Sequence, residues 1–261
     1  MSTYQKMKEA FHKFNPTTDM LNVVYGLDSH ETYDAIIVAP SWTPDKIFQN
    51  FNPTIQIMKE GPYYCGYEVQ AQNKKFGYIQ TSSCSGNVID CCMTIGDSKC
   101  NNIIFIGSVG ALSEDLFLGD IVTPSYSIAG DGGSLYLYDT ISERNYREKV
   151  VQNVEYKNRL FHVAKMMDIE VKERITYCTD TIFCEYYHLD EIKSLGSELI
   201  EMETASFMRC MELMEKSYQI LLCVSDNSSC GNQLVGRNEE DSKRYHTARE
   251  INIPKLILAL S

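Results

Sequence analysis

Short apolar runs alternate with helical patterns along almost the whole chain. Runs such as residues 35–39, 102–106 and 218–224 have the length of strands, and the segments between them repeat apolar residues at helical spacing. Alternating strands and helices predict layers of helices packed on a central sheet. The 261 residues can bury a substantial core, and no linker rich in Pro, Gly or Ser divides them. We therefore expect a single α/β domain with a twisted, mixed central sheet flanked by helices.

The first 30 residues form a helical extension before the catalytic domain expected over residues 31–261. Residues 1–14 mix lysines with apolar side chains in an amphipathic helical pattern that ends at Asn15-Pro16. This segment lacks the apolar core of a signal peptide. Ten cysteines without a CxxC pair indicate reduced thiols rather than a zinc site. A cytoplasmic protein without a metal is expected.

Charge and hydropathy exclude two classes of partner. The formal net charge is −11, whereas proteins that bind nucleic acids need a basic face. No apolar stretch approaches the roughly 20 residues that span a bilayer. An acidic chain can still bind a small anion where cations and backbone amides converge. The expected partners are small molecules, with no nucleic acid and no membrane.

Two acidic clusters follow predicted strands near the end of the chain. Glu201 and Glu203 flank Met202 where a short apolar run passes into a helical pattern, and Asp226 follows the run at 218–224. Ligand crevices of open α/β sheets lie beyond the carboxyl ends of strands, so both clusters should face one pocket. Paired carboxylates accept hydrogen bonds from sugar hydroxyls, and a separate Asp can deliver a proton. The alternatives are solvated charges, a helix-capping Asp226 and a core-packing Met202.

A glycine-rich segment, GSVG at residues 107–110, follows the strand predicted at residues 102–106. Small residues at such a turn let backbone amides approach an anion, and Ser108 adds a hydroxyl donor. The spacing is not that of a dinucleotide-binding loop, because no third glycine follows. A tight strand-to-helix turn without a ligand is the alternative.

The ordered set of these motifs resembles the purine and uridine nucleoside phosphorylase superfamily, which includes methylthioadenosine/adenosylhomocysteine nucleosidases. The resemblance rests on IFIGSVGAL at 104–112, GDIV at 119–122, EMETA at 201–205 and VSD at 224–226. It extends from about residue 34 to the C-terminus. It implies cleavage of an N-glycosidic bond, with inorganic phosphate as co-substrate and no cofactor. It also implies a homo-oligomer, often a hexamer built from dimers, to whose interface Tyr63, Tyr64 and Tyr67 are suited.

The resemblance assigns roles to the candidate residues. The catalytic pair is Glu203, which would hold the ribose hydroxyls, and Asp226, which would protonate purine N7 as the base departs. The nucleoside-binding residues are Glu201, Met202, Thr179, Phe183 and Ser225. The phosphate-binding residues are Ser108, Gly107, Lys46 and Ser41. Phe183 would stack on the base, with Ile182 as the alternative, although Phe183 also suits a core position.

The anion side of the family pattern is incomplete. Lys46 stands where phosphorylases carry an Arg after the first strand, and lysine lacks the bidentate fork of arginine. Phe105 stands where many phosphorylases carry a second phosphate-binding Arg. The nucleosidases have a water-activating Glu in their first loop, and the only carboxylate near that position here is Asp45. Arg237 and Arg244 are candidates to restore positive charge, with surface placement as the alternative for each. The alternatives to a phosphorylase are therefore a hydrolase and a catalytically weak nucleoside-binding protein.

Overall fold

The computed structural model describes residues 1–16, 19–231 and 236–261. Helices pack on a ten-stranded mixed sheet, which confirms the expected architecture. The strands are β1 (Ala35–Pro40), β2 (Thr54–Glu60), β3 (Tyr64–Ala71), β4 (Lys74–Thr81), β5 (Asn102–Ala111), β6 (Ile121–Ala129), β7 (Lys149–Val151), β8 (Val171–Cys178), β9 (Leu199–Glu201) and β10 (Ser217–Asn227). The helices are α1 (Thr3–Phe14), α2 (Met20–Tyr25), α3 (Pro44–Phe48), α4 (Ser85–Ile95), α5 (Val154–Met166), α6 (Ile182–Glu185), α7 (Leu189–Ser194), α8 (Thr204–Met214), α9 (Glu239–Thr247) and α10 (Ile253–Leu260).

The sheet has an open half and a closed half. In the open half, β1 lies parallel between β4 and β5, and the hairpin of β2 and β3 extends the edge beyond β4. In the closed half, strands β5, β9, β8, β6 and β10 pair in a ring, because β10 pairs with both β5 and β6. Strand β5 belongs to both halves. Residues near its carboxyl end are therefore surrounded by strands of both halves.

Both faces of the sheet are buried, which explains the continuous apolar runs of its central strands. One hydrophobic cluster packs α4 and α8 against one face. The helical spacing of Val88, Cys91, Cys92 and Ile95 predicts the inward face of α4, and all four are buried in this cluster. A second cluster packs α3 and α10 against the other face. Residues on β5 alternate between these clusters, so Phe105 faces α8 whereas Ile104 and Ile106 face α10.

The strands predicted at residues 35–39, 102–106 and 218–224 are confirmed. Residues 107–110 do not form a turn, because β5 continues through them to Ala111. Pairing with β9 and β10 supplies partners for their backbone groups, which keeps the glycine-containing segment extended. The sequence pattern of residues 143–167 predicts a mostly helical segment, which is wrong in part because β7 precedes α5. Strands β2 and β3 were not anticipated.

The N-terminal segment forms two helices that pack on the main body. Helices α1 and α2 contribute Tyr4, Leu21 and Tyr25 to the same hydrophobic cluster as α4 and α8. The side chain of Ser2 caps α1 by accepting from the amide of Gln5. No helix among the described residues is long and apolar enough to cross a membrane.

Candidate functional site

Both acidic clusters border β5 at Gly110. Strand β9 places Ile200 opposite Gly110 on one side, and β10 places Asp226 opposite it on the other. Strand β9 runs antiparallel to β5 whereas β10 runs parallel to it. The clusters therefore come near β5 through pairing with its extended end, and not because both strands end at the same edge. A Cβ atom at Gly110 would lie 3.2 Å from Oδ2 of Asp226, so the glycine leaves room for this carboxyl group.

Asp226 lies after an irregularity in the register of β10 and is half-buried. The hydroxyl of Ser225 donates to Oδ1 of Asp226 at 2.6 Å. Burial raises the pKa of Asp226, and the Ser225 hydrogen bond and the charge of Arg237 oppose this effect. A carboxyl group with a raised pKa holds its proton more readily at neutral pH, which a general acid requires.

Glu203 lies at the start of α8 and is 6% exposed. The backbone amide of Cys84 donates to its Oε1 at 2.7 Å. Burial, followed by the charge of Glu201, raises the pKa of Glu203 to about 8. Hydrogen bonds donated to a carboxylate favour its ionised form, so the hydroxyls of a bound sugar would lower this pKa.

The carboxylate of the neighbouring Glu201 accepts hydrogen bonds from groups of the protein itself. Its carboxylate accepts hydrogen bonds from the amides of Glu203 and Thr204 at 2.7 and 2.8 Å. The hydroxyl of Thr204 donates to it at 2.8 Å, and the thiol of Cys178 at 2.7 Å. Glu201 thereby satisfies amides at the start of α8 and fixes the turn that carries Glu203. Its expected contact with the nucleoside stays a prediction, as does that of the half-buried Met202.

The loops after β1 and β4 meet beside this turn. Ser41 follows β1 with φ +61°, and its hydroxyl lies 3.2 Å from that of Ser83. Cys84 precedes α4 with φ +97°. Burial and the charges of Glu203 and Asp180 raise the pKa of its thiol. A protonated thiol is a poor nucleophile, so the contribution of Cys84 comes from its backbone amide.

Ser108 points to the face of the sheet covered by α9. Its hydroxyl lies 3.0 Å from that of Tyr245. The guanidinium carbon of Arg237 lies 4.1 Å from the centre of the Tyr245 ring, and Nε of Arg237 donates to the carbonyl of Ser225 at 2.9 Å. Arg244 instead pairs with Asp120 at 3.4 Å and is partly exposed. Of the two candidate arginines, only Arg237 contacts the site.

The other anion-binding candidates are placed differently. Lys46 is exposed on α3, and no ion pair or hydrogen bond of its side chain occurs among the described residues. Gly107 lies within β5, where a Cβ atom would have ordinary contacts of 3.7 and 3.8 Å. Phe105 is buried, with its ring centre 4.8 Å from that of Phe207. Position 105, where many phosphorylases carry an anion-binding arginine, is therefore part of the hydrophobic core.

The segment after β8 lies close to Asp226. The amide of Thr179 donates to the carbonyl of Glu201 at 2.8 Å, which joins this segment to the turn before α8. On α6, Phe183 is 90% exposed and free to contact a ligand. Glu185 was not anticipated from the sequence. Burial, followed by the charge of Asp226, raises the pKa of Glu185 to about 7.

Comparison with known proteins identifies the family of the chain. The family model described as the phosphorylase superfamily matches residues 59–255. No functionally curated protein matches the sequence.

Three solved structures share the fold at low sequence identity. Uridine phosphorylase from Vibrio fischeri ES114 superposes with a TM-score of 0.69 at 16% identity, over 90% of this chain and 93% of the other. The P. knowlesi homologue of P. falciparum PNP gives 0.68 at 18% identity, over 89% and 92%. The 5′-methylthioadenosine/S-adenosyl homocysteine nucleosidase of Campylobacter jejuni gives 0.66 at 14% identity, over 88% and 98%. With the family match covering most of the sequence, the chain belongs to the phosphorylase superfamily.

Proposed function

We propose that the protein cleaves the N-glycosidic bond of a purine ribonucleoside or deoxyribonucleoside with inorganic phosphate. The products are the free base and the sugar 1-phosphate. The observation that carries this proposal is the placement of two buried or half-buried carboxyl groups with raised pKa values, Glu203 and Asp226, beside the same strand. Glu203 suits binding of the sugar hydroxyls, and Asp226 suits proton transfer to the base.

The proposed reaction divides its charges between these two groups. As the bond between C1′ and N9 breaks, its electron pair passes to the base, and Asp226 gives its proton to N7. Glu203 binds the ribose hydroxyls and stabilises the cation-like sugar. A phosphate oxygen then forms the new bond to C1′. Met202, Thr179, Phe183 and Ser225 complete the proposed nucleoside side, and Ser41, Lys46, Gly107 and Ser108 the phosphate side.

Release of base in the presence and absence of phosphate tests the proposal. Inosine, adenosine, their deoxy forms, methylthioadenosine and uridine would be incubated with the protein, and products separated by chromatography. We expect phosphate-dependent release of purine base together with an equal amount of sugar 1-phosphate. We expect Asp226→Asn to lower kcat by about 100- to 10,000-fold, the usual contribution of a general acid, with a smaller effect on KM. A preference for uridine would remove the N7 role of Asp226.

Hydrolysis is the second candidate, because Phe105 is buried in the core where an anion-binding arginine was expected. In this case water would replace phosphate as the nucleophile, and equal rates of base release would be seen in phosphate-free buffer. Asp45, which is exposed on α3, would then be the first carboxylate to test as the base. Binding of nucleoside without any release would instead support a nucleoside-binding protein.

We also propose that the protein is a cytoplasmic homo-oligomer built from dimers. Its ten free cysteines suit a reducing compartment. Tyr63 is 72% exposed beside the edge hairpin of β2 and β3, where an aromatic side chain suits an interface. Sedimentation at micromolar protein concentration tests the assembly, and a single monomeric species would contradict it.

A further inference from the structure

We propose that Ser108, Tyr245 and Arg237 together form the phosphate subsite, with Arg237 supplying the positive charge that Phe105 does not provide. This assignment rests on the proposed phosphorolysis and names the residues that bind its anionic co-substrate. Tyr245 has no role in the sequence-based assignment, and Arg237 appears there only as one of two candidates.

The two hydroxyls offer hydrogen-bond donors to an anion. Those of Ser108 and Tyr245 lie 3.0 Å apart, so one donates to the other. The accepting hydroxyl keeps its own proton for a further acceptor, because a hydroxyl group both donates and accepts. Burial raises the pKa of Tyr245, which keeps its hydroxyl protonated. An oxyanion beside the pair would receive a hydrogen bond from the accepting hydroxyl, and it would receive one from each hydroxyl where it replaces the contact between them.

Arg237 supplies the charge. Its Nε donates to the carbonyl of Ser225, and its planar group lies over the Tyr245 ring. These contacts orient the side chain, and among the described residues its terminal nitrogens make no hydrogen bond. Arg237 makes no ion pair with the residues that the structure describes, whereas Arg249, which also lies near this ring, pairs with Glu250. Arginine suits phosphate because its fork can donate two parallel hydrogen bonds.

The position of the subsite fits the reaction. Ser108 lies two residues before Gly110 on β5, and Gly110 is opposite Asp226. Arg237 is bonded to Ser225, the residue next to Asp226. The proposed anion and the proposed acid therefore lie near each other along the β5–β10 pair, separated by one pair of residues, as transfer of the sugar between base and phosphate requires. Arg237 would also reduce the repulsion between the phosphate and any ionised Asp226.

The competing role for Arg237 is to position Asp226 through Ser225, without contact to phosphate. Kinetics of Arg237→Gln separates the two roles, with Arg244→Gln as the matched control, since Arg244 is bound to Asp120. We expect Arg237→Gln to raise KM for phosphate about ten- to a hundredfold, the effect of losing a charge-assisted hydrogen bond, with little change in KM for nucleoside. Tyr245→Phe keeps the ring and should raise KM for phosphate severalfold. Lower kcat with unchanged KM for phosphate would overturn the assignment.

Direct binding separates failure of this subsite from failure of the proposed reaction. Inorganic phosphate would be titrated into wild type, Arg237→Gln, Arg237→Lys and Arg244→Gln, with calorimetry as the readout and circular dichroism as the folding check. We expect equal binding by wild type and Arg244→Gln, weaker binding by Arg237→Lys, and binding about ten- to a hundredfold weaker than wild type by Arg237→Gln. If base release needs no phosphate but this pattern holds, phosphorolysis fails and the subsite stands. Equal binding by Arg237→Gln, or none by wild type, overturns the subsite.

Discussion

The backbone amide of Cys84 donates a 2.7 Å hydrogen bond to Oε1 of Glu203. This contact joins the loop after β4 to the turn that begins α8, although the two residues are 119 positions apart in the chain. Cys84 makes the contact with φ +97°, a conformation that glycine adopts readily and other residues rarely adopt. Such strain costs of order 1–3 kcal/mol and persists only where surrounding structure maintains it.

Substitution of Cys84 tests whether its backbone conformation positions Glu203. Cys84→Gly should raise Tm or leave it unchanged and keep KM for nucleoside within about twofold, because glycine relieves the strain and retains the amide. Cys84→Val should lower Tm and raise KM about tenfold, because a β-branched residue is a steric outlier at positive φ. Thermal unfolding and steady-state kinetics provide the measurements. Loss of activity in Cys84→Gly would show that the thiol is needed.

Gly110→Ala should displace the carboxyl group of Asp226, the proposed general acid. The new Cβ atom would lie 3.1 Å from Cγ2 of Ile200 and 3.2 Å from Oδ2 of Asp226, so these neighbours must move by a few tenths of an ångström. We expect kcat to fall about tenfold, less than in Asp226→Asn, because small misplacements of catalytic groups slow the reaction. Gly86→Ala is the control, since nothing lies within 4 Å of its added Cβ. Equal kcat values for the two variants would contradict the placement.

Phe183→Ala should affect binding without affecting stability. The ring is 90% exposed, and substitutions at exposed positions usually change the free energy of unfolding by less than about 0.5 kcal/mol. If Phe183 stacks on the base, KM for nucleoside should rise about tenfold, since stacking contributes roughly 1–3 kcal/mol per base. Tyr187 is 89% exposed in the next turn and provides the matched alanine control. The same KM in both variants would remove Phe183 from the site.

Glu203→Gln should stabilise the fold increasingly as pH rises from about 4.5 to about 8. In this window the unfolded chain releases the Glu203 proton, whereas the folded protein, with a pKa of about 8, retains it. Glu203 therefore contributes its full stability below pH 4.5 and loses it progressively up to pH 8, by at most about 1.4 kcal/mol per pH unit. Glutamine does not titrate and its amide oxygen still accepts from Cys84. Thermal unfolding from pH 4 to pH 9 measures the difference, and a constant difference in Tm would contradict the raised pKa.

Local patterns in the sequence determined most of the fold. The apolar run of β1 and the inward face of α4 are periodic within a few residues, so their type follows from spacing alone. The change from a short apolar run to a helical pattern at EMETA likewise identified β9 and the start of α8. The ordered motifs were sufficient to indicate the superfamily.

Tertiary structure decided how the candidate residues divide their roles. The segment at 107–110 is extended because β9 and β10 pair with it, and strand pairing depends on segments about 90 and 115 residues away, beyond any local pattern. Glu201 and Glu203 cannot be told apart by their sequence pattern. In the structure, Glu201 accepts hydrogen bonds from amides at the start of α8, whereas Glu203 accepts one from the amide of Cys84. Arg237 and Arg244 also look alike, yet only Arg237 contacts Tyr245 and Ser225, because hydrogen-bond partners are selected by packing in three dimensions and not by residue type.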